Sequence, residues 1–139
     1  MKTKSLLFVM VAAIAMSFIG CKKTTADLTW RTYTTPENTP EAEAVVGEIE
    51  NALASYYEGL GTYTKGYTDG SAVYSSQVVI NGKDYDQIKQ KVDDATALAD
   101  KVLSSGEIDF GTLTQCRVVV TLFVNNCPTE ILNKDYIGK

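Results

Sequence analysis

Two amphipathic stripes at helical spacing, each set between β-prone runs, restrict this chain more than any other feature. Ala42, Val45, Val46, Ile49, Leu53, Tyr56 and Leu60 recur every three or four residues, which draws one apolar face along a helix. Thr39 is placed to cap it, Pro40 stands at its first position, and Glu41 and Glu43 fall where the helix dipole favours negative charge. Gly59 and Gly61 supply the stop. Tyr85, Ile88, Val92, Ala95, Ala99, Val102 and Leu103 form a second stripe. Asp84 with Gln87 three residues on opens it, and Gly106 ends it. A one-sided helix needs an apolar surface to lie on, and a sheet is the natural source.

The runs between the helices read as strands. Residues 28–34 are rich in β-branched and aromatic types. Asp69-Gly70 signals a hairpin with arms at 62–67 and 72–80, and Asn81-Gly82 marks another turn. A last strand spans 112–125. The order strand, helix, strand, strand, helix, strand predicts an α+β fold: a two-layer βαββαβ ferredoxin-like sandwich, with an antiparallel sheet and both helices on one face. That arrangement usually puts the first and third strands in the centre and the last at an edge. Here the last strand is the most apolar, with Cys116, Val118, Val120, Leu122 and Val124 on one face. Either the order differs or that edge is covered, and the tail 127–139 is the available cover.

The N-terminus points elsewhere. Lys2 and Lys4 precede an apolar run, Leu6–Met16, that is too short for an ordinary spanning helix but suits a signal core. Gly20 precedes Cys21. This segment resembles the lipobox of bacterial lipoproteins, although Phe18 departs from the usual Leu. The resemblance implies cleavage after residue 20 and lipidation of Cys21. Lys22 in place of Asp implies the outer membrane, and the Cys-Lys-Lys start is similar to small lipoproteins of Bacteroides-type bacteria. No acidic export signal follows, so the expected location is the cell envelope, lipid-anchored and facing the periplasm. The expected layout is a signal at 1–20, lipidated Cys21 with a tether through 27, and one domain over 28–139.

Composition excludes whole classes of function. Cleavage would leave 119 residues with 11 basic and 17 acidic side chains, a net charge of −6. No basic stripe accompanies that charge, so nucleic acid is not an expected partner. There is no histidine, which removes Ser-His and Cys-His nucleophile pairs and imidazole metal ligands. Cys116 and Cys127 flank a strand whose ends lie about 26 Å apart, so a disulfide between them is not expected. The segment Gly61–Thr68 lacks the lysine of a phosphate loop and enters strands rather than a helix. No calcium loop occurs. Glu41, Glu43, Glu48 and Glu50 are assigned to the polar side of the first helix, and Asp84, Asp86, Asp93 and Asp94 to the second; solvation explains both groups. No catalytic, cofactor or metal residue is expected.

Aromatic residues are the remaining signal. Tyr33, Tyr63, Tyr67, Tyr74 and Phe123 fall on predicted strands, some of them on the helix-free sheet face, and amphipathic rings there suit binding. Trp30 alternates with Leu28 and is expected to face inward. The expected function is that of a non-catalytic, membrane-anchored protein-interaction module, binding an envelope protein or itself. The alternative is a small-molecule or glycan binding module. A carboxylate-dependent hydrolase ranks last.

Overall fold

The computed structural model describes residues 24–69, 72–74, 76–82 and 84–137. The segment 1–20 expected as a signal, Cys21 and Lys22-Lys23 lie outside them. Strand β1 (Thr24–Thr35) leads into helix α1 (Pro40–Tyr57), which closes in a 3-10 turn at Glu58–Leu60. Four short segments follow: β2 (Thr62–Thr64), β3 (Tyr67–Asp69), β4 (Ala72–Tyr74) and β5 (Ser76–Gly82). Helix α2 (Tyr85–Leu103), β6 (Gln115–Val124) and β7 (Cys127–Asp135) complete the chain.

Both helices begin as the sequence predicts. The Ala42 amide donates to Thr39 Oγ1 at 3.0 Å, and the Gln87 amide donates to Asp84 Oδ1 at 2.8 Å. Each satisfies an N–H that the first turn leaves without an intrahelical partner.

The fold is α+β, with a five-stranded antiparallel sheet in the order β2-β5-β1-β6-β7. This differs from the expected four-stranded sheet in two ways. First, the tail does not merely fold over the edge; it adds a full strand. Asn125 and Asn126 take positive φ of 53° and 64°, which turns β6 sharply into β7, and asparagine tolerates that conformation. The apolar strand β6 is thereby central, paired with β1 on one side and β7 on the other. Second, the expected hairpin is bent. β2 pairs with β5 as Thr64↔Gln77, and β3 pairs with β4 as Tyr67↔Tyr74 in a separate two-stranded sheet. The register is the same on both sides of the break, so the two pairings are stretches of one hairpin whose first arm is interrupted at residues 65–66. The Gly66 amide donates to Ser76 Oγ at 2.9 Å at the bend. Strand β4 lies against β1 and α1.

A second correction concerns the boundary of the domain. Residues 24–27, expected as tether, are strand: Ala26 pairs with Ile80 and Val124. Alternation explains it, because Ala26 continues the buried series Leu28, Trp30, Thr32 and Thr34.

The core fills one side of the sheet. Leu28, Trp30, Val78, Ile80, Val118, Val120 and Leu122 meet Val45, Ile49, Leu53 and Tyr57 of α1 and Ile88, Val92, Ala99 and Leu103 of α2. Ile108 and Leu113 plug the end where α2 returns to β6. Among the described residues no helix packs on the other face, and no helix is long and apolar enough to cross a membrane.

Candidate functional site

The open face is built by alternation. Side chains paired across antiparallel strands share a face, so register places Asp27 beside Phe123 and Val79, Thr29 beside Thr121 and Gln77, and Tyr33 beside Arg117. Strand β7 adds Pro128, Glu130, Asn133 and Asp135 to the same face. Short polar contacts tie the near part together: Gln77 Nε2 donates to Asp27 Oδ1 at 3.0 Å, and Thr25 Oγ1 donates to Asn81 Oδ1 at 3.1 Å.

The far part is cationic and aromatic. Arg31 and Arg117 are the chain's only arginines, and both lie over one ring. The Arg31 Cζ is 5.0 Å from the Tyr33 ring centroid and the Arg117 Cζ is 5.4 Å away. Both distances fall within the range of cation–π attraction. Tyr33 and Arg117 are exposed, and Arg31 is half-buried. Composition treated arginine and lysine alike, so the sequence reading missed this pair. The signal was available: the two arginines among 13 basic residues both fall on β-prone runs, at positions of one parity.

The five aromatic residues expected to form a surface do not share one. Tyr33 and Phe123 lie on the open face, but register separates them by six positions, about 20 Å along the strands. Tyr67 and Tyr74 pair with each other in the bent tip, where Tyr67 is exposed. Tyr63 turns the other way. It pairs with inward-facing Val78, so its ring lies on the helix side, stacked on Trp30 at 6.0 Å.

That inward turn exposes a further correction. Glu50 is not on the polar side of α1 but buried, at 2% exposure. Its two oxygens accept from Trp30 Nε1 at 2.8 Å and from the Tyr63 hydroxyl at 2.6 Å. Glu50 sits between Ile49 and Leu53 at the rim of the stripe, so a small rotation of the helix brings it inside. Burial, then the hydrogen bond to Glu50, push the Tyr63 hydroxyl well above the ordinary tyrosine range. Beside this group Tyr57 lies 5.0 Å from Trp30 and bonds Thr96 Oγ1 at 2.6 Å. Burial pushes its hydroxyl up to about 12. Thr96 in turn donates to the Val92 carbonyl, which makes Tyr57 the donor in the pair. Every polar atom in this chain of contacts has a structural partner.

A third cluster fastens the tail. The Tyr136 hydroxyl donates to Asp100 Oδ1 at 2.7 Å, and Lys134 Nζ donates to the same oxygen at 3.1 Å. Burial works to raise the Asp100 carboxyl, but these bonds and the Lys134 charge outweigh it and hold the group below its ordinary value. Cys116 is buried and Cys127 exposed, and neither forms a disulfide. Burial, then Asp135, push the Cys116 thiol up to about 12, so it is inert. Among the described residues no cluster of three metal-ligating side chains occurs.

Comparison with known proteins returned no matching family model, no matching curated protein and no matching solved structure.

Proposed function

We propose that this chain is a lipid-anchored, non-catalytic binding protein of the bacterial cell envelope that presents its open sheet face to a protein partner. One observation carries the reading. Strand β1 begins three residues after Cys21 and ends beside the patch formed by Arg31, Tyr33 and Arg117. Three residues reach at most about 10 Å, so an anchor at Cys21 holds the start of β1 at the membrane surface. Nine residues of strand then carry Tyr33 about 30 Å from that start. The geometry suits a module that stands on a bilayer and displays its far end. The outer membrane, facing the periplasm, is the location that the residues around Cys21 favour.

We also read the fold as an elaborated ferredoxin-like sandwich. In support, β2, β5, β1 and β6 lie side by side in the order that fold requires, with the first and third of these central. Strand β7 and the bent tip are then additions. The small-molecule or glycan alternative ranks second because its five aromatic residues are dispersed. The carboxylate hydrolase ranks last, and Glu50 is already committed to Trp30 and Tyr63.

The test is site-specific photo-cross-linking in intact cells, combined with metabolic labelling by a palmitate analogue. A cross-linker at Thr29 or Val119 on the open face is expected to capture a partner, and one at Glu43 on α1 is not. Label is expected on the natural chain and absent from Cys21→Ser. Capture from Glu43 alone, or equal labelling of the two chains, sinks the reading.

A further inference from the structure

We propose that Asn81 is a site of spontaneous deamidation, held in check by the first residues of β1. Of the six asparagines in the chain, Asn81 is the one followed by glycine. The chemistry needs that neighbour. The Gly82 backbone nitrogen attacks Asn81 Cγ, the Cγ–Nδ2 bond breaks, and ammonia leaves with the Gly82 amide proton. The resulting succinimide takes up water and opens at either carbonyl, to aspartate or to isoaspartate. Nothing is oxidised or reduced, and water is the one co-reactant. A side chain on the following residue crowds the attacking nitrogen, and glycine has none.

The backbone decides when the ring can close. Asn81 and Gly82 do not form a turn, as their sequence suggests, but end strand β5. An extended residue, with ψ of about +135°, points the following nitrogen away from its own side chain. Closure therefore waits for Asn81 to leave the strand. Three contacts oppose that: Thr25 pairs with Asn81, Thr24 pairs with Gly82, and Thr25 Oγ1 donates to Asn81 Oδ1 at 3.1 Å. These are the last rungs of the sheet. Among the described residues, β2 pairs with β5 only over Gln77–Val79, and β6 pairs with β1 only from Ala26 onward. Thr24 and Thr25 are thus laddered to β5 alone, and Asn81 and Gly82 to β1 alone. Asn81 and Thr25 are both exposed. Opening the site undoes two terminal pairs while the core stays closed, and openings of that kind carry the lowest free energies in a folded protein.

Modification is a one-way step. Isoaspartate adds a carbon to the main chain between Asn81 and Gly82. Gly82 is seated too closely to absorb the shift, since a Cβ there would lie 2.6 Å from Ile88 Cγ1. The last two rungs then cannot re-form in register, and Ala26, paired on both sides, becomes the first held residue of β1. On the reading of the chain as anchored at Cys21, the tether gains Thr24 and Thr25. That consequence rests on the anchor, and the chemistry does not.

The test is peptide mapping of the purified full chain by mass spectrometry after incubation at neutral pH, folded and in urea. Asn81 is expected to convert in urea and about tenfold or more slowly in the folded chain, because only the opened fraction reacts. Thr25→Ala removes the side-chain bond and is expected to speed the folded chain about fivefold without changing the rate in urea. Tyr136→Phe weakens the opposite end of the fold and is expected to leave the Asn81 rate unchanged. Equal rates in the folded chain and in urea, or no acceleration by Thr25→Ala, overturn the gate. Equal acceleration by both variants assigns the reaction to global unfolding and overturns it too. No conversion of Asn81 in urea overturns the site itself. In the isoaspartate form, amide exchange over Thr24–Ala26 is expected to be faster, and unchanged exchange refutes the loosening. Failure of Cys21 to take up the palmitate label removes the tether and leaves every one of these results standing.

Discussion

Removing the Glu50 carboxylate tests whether the buried polar group beneath the sheet holds the fold together. In Glu50→Ala the Trp30 indole N–H loses the Glu50 acceptor in a site where Trp30 is 2% exposed. Leaving such a donor unpaired costs about 1–3 kcal/mol. The Tyr63 hydroxyl is half-buried and regains water, so its lost bond counts for roughly 1 kcal/mol. The missing side-chain stem adds about 1 kcal/mol of lost burial. The expected total is about 3–5 kcal/mol, a large share of the ~5–15 kcal/mol that holds a small domain folded. Glu50→Gln keeps an oxygen for Trp30 and is expected to cost about 1 kcal/mol. At roughly 3–5 °C per kcal/mol for a domain of this size, melting should fall by about 10–25 °C in the alanine variant and about 4 °C in the glutamine one. The assay is urea and thermal unfolding followed by far-ultraviolet circular dichroism and by the emission of Trp30, the sole tryptophan. Equal costs for the two variants, or an alanine cost under about 1 kcal/mol, would refute the reasoning, because the hydrogen bonds would then contribute nothing specific.

Other outcomes follow from the same geometry. A maleimide should modify Cys127 in the folded protein and reach Cys116 only on unfolding, as mass spectrometry with and without urea will show. Tyr136→Phe should cost about 1 kcal/mol and loosen β7, read as faster amide exchange in Cys127–Asp135. Because the folded Asp100 carboxyl lies below its unfolded value, its contribution is complete above about pH 4 and is lost as pH falls through the folded value. Asp100→Asn should therefore flatten the acid limb of a stability–pH curve. At the alkaline end the sign reverses: Tyr57 and Cys116 are held protonated up to about 12, so stability should decline from near pH 9 toward 12, and Cys116→Ala should reduce that slope. Gly61→Ala should be more damaging than Gly111→Ala. A Cβ at Gly61 strikes the Val79 backbone, which cannot yield, whereas at Gly111 it bears the strain of a φ of +57° and meets only the far end of the Glu41 side chain.

Periodicity made the extent of both helices legible, because Thr39 and Asp84 advertise their capping chemistry, but the stripes were off in detail: Tyr57 rather than Tyr56 is buried, and Tyr85 is exposed. The inward rows of β1 and β6 were legible for the same reason, through Trp30, Leu28 and the alternating valines. Strand β7 was not, because its sequence, with Pro128, Glu130 and Lys134, carries the polar marks of an edge rather than the pattern of a buried strand. Ala26 was passed over because Thr24, Thr25 and Asp27 around it are polar, yet one small apolar residue in phase was enough to extend β1. The bend in the hairpin was invisible, since β propensity is the same on either side of Gly66. Glu50 and Tyr63 show a deeper limit. Each looks exposed in its own element, and only the meeting of α1 with β2 gives the carboxylate a donor inside the protein. The arginine patch likewise exists only through pairing of strands 86 positions apart.

That pairing also dictates when the sheet can form. Strand β1 precedes the others, and although β5 pairs with it over Thr24–Trp30, its remaining length, Arg31–Thr35, pairs with the distant β6. The Arg31–Thr35 half of β1 therefore waits for a ladder partner until β6 is made, at least 80 positions later, and β6 keeps an open flank until β7 follows. Contacts so distant in sequence fold slowly.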